Sequence, residues 1–309
     1  MQSFPGGNGG FARHLVKTLL PDAISGPDTL EGVCLGKVNF KVLDQAGQAT
    51  RIRLGSTVVR VEHDGPAEKS EFVHVTYTRN NKVYRLKARA VVMAGGSWTT
   101  KHVVIDLPQE QRDAYAQFFR SPCMIVNVAL RNWRFLYKLG ISGAIWFDGV
   151  GEFGSVRKMP TFSTDDKTIG PDSPVVMTIK ALFCKPGLTM EQQQILGRTE
   201  LLSTSYLDYE RRVREQFIEM FGGSGFDAKR DISGIVLNRW GHAYCSPQPG
   251  FFFGKDGKPA PTEILRRAPF GRIAFANTDL AGGPSHTGAI TEGQRAAGQL
   301  LDRVSPASA

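Results

Sequence analysis

The chain has 309 residues, 41% of them hydrophobic and 22% charged, and carries 38 Lys and Arg against 29 Asp and Glu, a formal charge of +9. This is an ordinary globular composition. The dispersed basic residues argue against a nucleic-acid surface, the sign of the charge opposes long-range attraction of a polycation, and no apolar run of about 18 residues is present to form a membrane span. Four widely separated cysteines (Cys34, Cys123, Cys184, Cys245) form no C-x-x-C pair, so free thiols in a reducing compartment are the simplest reading and no metal site is expected.

In chain order, a glycine-rich start (Gly6, Gly7, Gly9, Gly10) leads into helical spacing of Phe11, Leu15, Val16 and Leu19, stopped by Pro21. Gly7-x-Gly9-x-x-Ala12 with Glu31 formally matches the dinucleotide fingerprint. That fingerprint needs a hydrophobic strand before its first glycine, and residues 1–5 are too short and end in proline. Only a chain cut just after such a strand would restore it. No secretory leader is visible, since residues 1–10 lack an apolar core.

A strand is predicted over 57–61, with a turn at Asp64-Gly65, a second alternating strand over 72–77, a turn at Asn80-Asn81 and a return over 82–88. The wholly apolar run 90–94 reads as a buried parallel strand, closed by Gly95-Gly96. A helix over 107–119 and a strand over 123–130 follow. The aromatic, Gly/Pro-rich stretch 132–186 holds strand-like 141–147 and 175–183, with a turn at 170–174. Helices are predicted over 188–202 and 206–221; the second carries Arg211, Arg212 and Arg214 among Asp208, Glu210 and Glu215, a solvated face. No internal repeat is seen.

The strand over 232–245 ends in Trp240, His242 and Tyr244, which alternate with Gly241 and Ala243 and so share one face of a regular strand. Such an aromatic wall can hold an amine by cation–π attraction or shape a dry pocket for hydride transfer. It can equally be core packing with one hydrogen-bonded structural histidine. The strand 273–276, the turn Asn277-Thr278-Asp279 and a Gly-rich segment then open a helix over 287–301. Its small residues Gly288, Ala289, Gly293, Ala296 and Ala297 permit close packing. A helix N-terminus fed by glycines offers free N–H groups and a positive dipole end to a phosphate; the plainer alternative is a strand–loop–helix capped by Thr287. No other catalytic set stands out: Ser285-His286 is adjacent rather than triad-like, no Gly-x-Ser-x-Gly occurs, and His63, His74 and His102 lack metal-ligand spacing.

Gly288-Ala289-Ile290 and Gly293-Gln294-Arg295-Ala296-Ala297 resemble the C-terminal flavin-binding motif of the FAD-dependent amine oxidase family. Ala276-Asn277-Thr278-Asp279, in place of the family's Ala-Gly-Glu, is closer to the spermidine dehydrogenase-like branch. Phe4-Pro5-Gly6-Gly7-Asn8, Ala12-Arg13 and Leu19-Leu20-Pro21 are similar to that branch too, as is Asn238-Arg239-Trp240-Gly241-His242-Ala243-Tyr244, where Gly241 replaces Pro and Ala243 replaces Gly. The series from 57 to 96 resembles the family segment at the adenine end of FAD.

The resemblance implies an α/β fold: a partial FAD/NAD(P)-binding, amine oxidase-like fold with a mixed antiparallel-sheet and helix substrate domain. Residues 1–105 would form the adenine side of the FAD-binding domain, 106–235 the substrate domain, and 236–309 the C-terminal FAD-binding segment. It implies FAD as cofactor, an amine substrate and hydride transfer from the amine carbon to the flavin. Cofactor contact would fall to Val58, Gly95, Gly96, Asn277, Thr278, Asp279, Thr287, Gly288 and Ala289, and the substrate pocket to Trp240, His242 and Tyr244. The Rossmann βαβ unit with its Gly-x-Gly-x-x-Gly turn is not found in these residues. The expectation is half a flavin site, completed by an N-terminal partner chain or a homo-oligomer. A truncated product and a flavin-free interaction subunit are the other accounts.

Overall fold

The computed structural model describes residues 6–157 and 169–304; Phe4 and Pro5 of the resemblance lie outside them. The described residues group into two compact units. One comprises 6–89 with 103–105; the other comprises 90–102, 106–157 and 169–304.

In the first unit the glycines 7, 9 and 10 fall inside the opening turns of the helix Gly7–Leu19, and Pro21 starts a short 3₁₀ turn after it. Leu20, Ala23, Ile24 and Leu43 form a small core here, with Val16, Val38, Val42 and Ile52 packed on it. Strands β1 (Thr57–His63), β2 (Val73–Arg79) and β3 (Lys82–Ala88) make an antiparallel meander. Asn80 and Asn81 join β2 to β3 with φ of 50° and 58°. Asparagine tolerates this left-handed pair, whose twist matches that of the flanking strands. A bulge between Val58 and Arg60 interrupts β1, and Val58 beside it is 40% exposed. Asp44 fastens the preceding loop to this sheet. It accepts hydrogen bonds from Arg51, Arg53 and Arg79, and these guanidiniums, Arg53 foremost, hold its carboxyl well below the usual range.

In the second unit, β4 (Val91–Met93) runs parallel to the later strand Ile273–Phe275. A separate antiparallel sheet contains β5 (Arg120–Leu130), β6 (Gly143–Ile145), β7 (Phe153–Val156), β8 (Val175–Leu182) and β9 (Ile232–Cys245), in the order β6-β7-β8-β5-β9. The parallel partner of β4 is then β10 (Ile273–Phe275).

Alternation decides which face of the large sheet is dry. Met124, Val126, Val128 and Leu130 on β5 and Met177, Ile179 and Ala181 on β8 are buried. Tyr209, Val213, Phe217 and Phe221, four residues apart on the helix Tyr206–Phe221, share a core cluster with them. On the opposite face Ile125, Asn127 and Thr178 are half-buried, while Lys180, Val236 and Trp240 are exposed. The helix Met190–Ser203 opens with a reciprocal capping box, Thr189 with Gln192.

The two strands of the parallel pair differ. All of β10 is buried, whereas Val91 and Met93 are half-buried and Val92 is 38% exposed. The apolar run at 90–94 therefore forms the expected parallel strand without the expected burial. Among the described residues β10 is its only sheet partner. Also among the described residues, no helix is long and apolar enough to cross a membrane.

Cys123 and Cys245 are buried and Cys184 is exposed. Burial pushes both inner thiols up, Cys245 to about 12 with the nearby Asp279 carboxylate adding to the effect. Since the thiolate is the reactive form, a disulfide reagent added to the native chain is expected to modify Cys184 and to spare Cys123 and Cys245 until urea unfolds it. Mapping the modified peptides checks this.

Candidate functional site

Because β4 and β10 are parallel, the turns that follow them emerge at the same edge. Gly95 and Gly96 follow β4, and Asn277, Thr278 and Asp279 follow β10. The carboxyl ends of parallel strands are where open α/β sheets place ligands. The two turns are tied together. Ala276 N donates to Met93 O (2.9 Å) and Asn277 Nδ2 donates to Gly95 O (2.6 Å). Asn277 Oδ1 accepts from Asp279 N at 3.0 Å and from Thr278 Oγ1 at 3.2 Å. At Gly96 a Cβ would lie 2.6 Å from Trp98 Nε1, so glycine is what lets the indole fold back on this turn.

Asp279 is 2% exposed and its side chain is committed. It accepts from Ser97 N (3.2 Å) and Ser97 Oγ (2.5 Å), and Arg120 at the start of β5 pairs with both its oxygens. Arg120 also donates to the carbonyls of His242 (2.9 Å from Nη2) and Ala243 (3.1 Å). Those carbonyls are available because the β5–β9 register slips there: Cys123 pairs with Trp240, but Ser121 pairs with Tyr244. Three residues of β9 face one of β5, a bulge whose backbone groups need partners from outside the ladder. Arg120 takes two of the carbonyls, and Arg198 takes that of Gly241 at 3.0 Å.

The bulge also interrupts the regular alternation of Trp240, His242 and Tyr244, and each has its own surroundings. Trp240 is 57% exposed. The His242 ring stacks on Trp98 with centroids 4.1 Å apart and planes 6° from parallel. Tyr244 has Lys180 Nζ over its ring at 4.8 Å. Arg198 Nη1 lies 3.2 Å from His242 Nδ1. A guanidinium can only donate, so Nδ1 accepts and the proton of the neutral imidazole sits on Nε2. Burial, then Arg198 and Arg120, push the His242 pKa down, so the ring is neutral at pH 7.

The terminal helix runs His286–Val304 and packs on β10 through Ala296 and Leu300 against Ala274 and Ala276, with Ala90 beside them. Its N-terminus is capped by Ser285 rather than Thr287: Ser285 Oγ accepts from Gly288 N (3.3 Å) and Ser285 O from Ala289 N (3.0 Å). Thr287 and Ala289 are exposed, and a Cβ on Gly288 would come within 3.3 Å of Ala281, so the helix start abuts the turn after Asp279. Buried Glu292 pins the helix by pairing with Arg266 and Arg295, and Arg295 also donates to Phe275 O.

The structure thus gathers Gly95, Gly96, Asn277, Thr278, Asp279 and Gly288 around one edge of the parallel pair, and His242 reaches it through Arg120. Val58 lies in the other unit. Ser97, Trp98, Arg120 and Arg198 went unread in the sequence, since no motif marks them; an arginine heading the otherwise apolar run of β5 was the one visible signal.

A family model described as flavin containing amine oxidoreductase matches residues 28–301. The chain belongs to this family. Flavin is therefore the cofactor that membership assigns, as the resemblance implied. Solved structures share the fold. Cyclohexylamine oxidase from Brevibacterium oxydans IH-35A is 18% identical with a TM-score of 0.52, and a putrescine oxidase triple mutant is 15% identical with a TM-score of 0.50. Each match covers 80% of this chain and 48% of the other. The chain so spans about half the length of these structures. No curated protein sequence matches it significantly.

Two outcomes test this geometry. Arg120→Ala strands a buried carboxylate and two bulge carbonyls, so urea unfolding is expected to show a loss of about 3–5 kcal/mol; a loss below about 1 kcal/mol would show the pair to be incidental. His242, followed by NMR through an acid titration, is expected to protonate below the ordinary value of about 6.5. As the pH falls below that ordinary value the unfolded chain binds a proton that the folded chain still refuses, so this residue lowers stability until the folded ring protonates too. Arg198→Ala is expected to move the titration up, though not fully, because burial remains.

Proposed function

We propose that the chain is the C-terminal part of a flavin-dependent amine oxidoreductase of the spermidine dehydrogenase-like branch, and that an N-terminal Rossmann half completes its FAD site. The observation that carries this reading is the isolated parallel pair β4–β10. Parallel strands belong to sheets covered on both faces and extended by crossover units, yet here two short strands have only each other among the described residues, and β4 is left half-exposed. A sheet of this kind is a fragment of a larger one, which suits a chain about half as long as the structures it matches.

In this reading residues 1–105 and 236–309 serve the flavin and 106–235 the substrate. Gly95, Gly96, Asn277, Thr278, Thr287, Gly288 and Ala289 let the cofactor approach closely along the turns and the helix start, the N–H groups of Gly288 and Ala289 being already given to Ser285, and Val58 offers its backbone to the adenine end. Asp279, whose carboxylate is spent on Ser97 and Arg120, acts by holding the turn. Trp240, His242 and Tyr244 shape the substrate side, with the His242 ring stacked on Trp98 and Trp240 open to solvent. When bound, FAD supplies the hydride acceptor for oxidation of an amine carbon.

The test is the visible spectrum of the purified chain after FAD is added and removed by desalting. The chain alone is expected to be colourless, and a fusion to the Rossmann half of a related amine oxidase is expected to retain a structured flavin band. A band held by the chain alone would remove the need for the half. A fusion that folds without retaining flavin would leave a flavin-free interaction subunit as the better account.

A further inference from the structure

One half-buried guanidinium in the site has no carboxylate counterpart among the described residues. Arg120 is balanced by Asp279. Lys180 is exposed to solvent and lies over the Tyr244 ring. Arg198 is half-buried, and its hydrogen bonds go to Gly241 O and His242 Nδ1, both from Nη1. Among the described residues no carboxylate pairs with it. Burial alone displaces its pKa, downward, which is the behaviour of a cation without a compensating anion.

The donors left over have a specific shape. With Nη1 engaged, the Nε–Nη2 edge of the guanidinium remains, and two parallel N–H groups on that edge match the two oxygens of a carboxylate. The arginine is held in place to offer them. Its Cγ and Cδ would touch a Cβ on Gly241 at 3.4 Å, so the stem lies against the bulge of β9. Its head is fixed by a backbone carbonyl and by a ring that is itself stacked on Trp98. A flat apolar surface and a pre-oriented anion receptor therefore adjoin.

We propose that Arg198 receives a carboxylate carried by the molecule that docks against the Trp98–His242 stack, so that the substrate is an amine bearing a carboxylate, of the amino-acid class, and not a polycation. This rests on the reading of the β9 aromatic face as the substrate side. The neutral state of His242 belongs to the same arrangement. A protonated ring would turn its Nδ1 into a donor facing Arg198, whereas the neutral ring accepts from Nη1 and leaves the Nε–Nη2 edge without a part in that contact. The charged groups facing His242 are Arg198 and Arg120, the latter already paired.

The experiment compares two probes of equal ring and chain length, 3-phenylpropionate and 3-phenylpropylamine, by titration calorimetry at neutral pH on the full chain without added flavin. The acid is expected to bind about tenfold or more tighter, the increment of a charge-assisted hydrogen-bonded pair, and to shift the His242 ring resonances. Arg198→Gln is expected to abolish the advantage of the acid, and Arg198→Lys to keep part of it, with circular dichroism and the urea midpoint showing that both variants fold. Equal binding, preference for the amine, binding of neither probe, or an acid preference that survives Arg198→Gln would each overturn the assignment. Because no flavin is present, a failure of the cofactor reading leaves this result readable.

Discussion

The site is organised by the ion pair between Arg120 and Asp279. One partner heads β5 in the antiparallel sheet; the other lies in the turn after β10 in the parallel pair. A carboxylate only 2% exposed is tolerable because Ser97 and Arg120 supply donors to it. Ser97 opens the helix that follows β4, so one carboxylate joins the segments after both parallel strands to the strand of the larger sheet.

The same arginine shows how an irregularity becomes useful. The bulge at Gly241–Ala243 leaves carbonyls outside the ladder, and a bulge with unmet carbonyls would be costly in a half-buried setting. Arg120 and Arg198 satisfy them from two directions. Each cation is thereby brought to His242, where burial first and then these two charges disfavour protonation.

Much of the scaffold could be read from the residues. The Asn80-Asn81 hairpin, the paired helices 190–203 and 206–221, and β9 all follow from turn chemistry and hydrophobic period, which are local properties. The glycine-rich terminal segment and its small-residue helix were legible for the same reason. The exposure of β4 was not, because burial depends on which strands lie alongside. The cap at Ser285 was missed by two residues, a choice between neighbouring hydroxyls that composition cannot make. Arg120, Arg198 and Trp98 were invisible for a deeper reason. Their roles answer demands created by a register slip and by a buried carboxylate, and neither exists until distant segments meet.

The bulge divides β9 into two lengths with separate obligations. Residues 234–239 pair one-for-one with β5, a second register slip leaves Ser233 out of the ladder, and Ile232 and Ile235 enter the main core. Residues 240–245 answer to arginines and rings instead. Substitutions that retune the aromatic end need not propagate through the ladder to the core end. The two ends of a single element thus answer to different neighbours, the core end to the packed layer beneath the sheet and the aromatic end to arginines and rings.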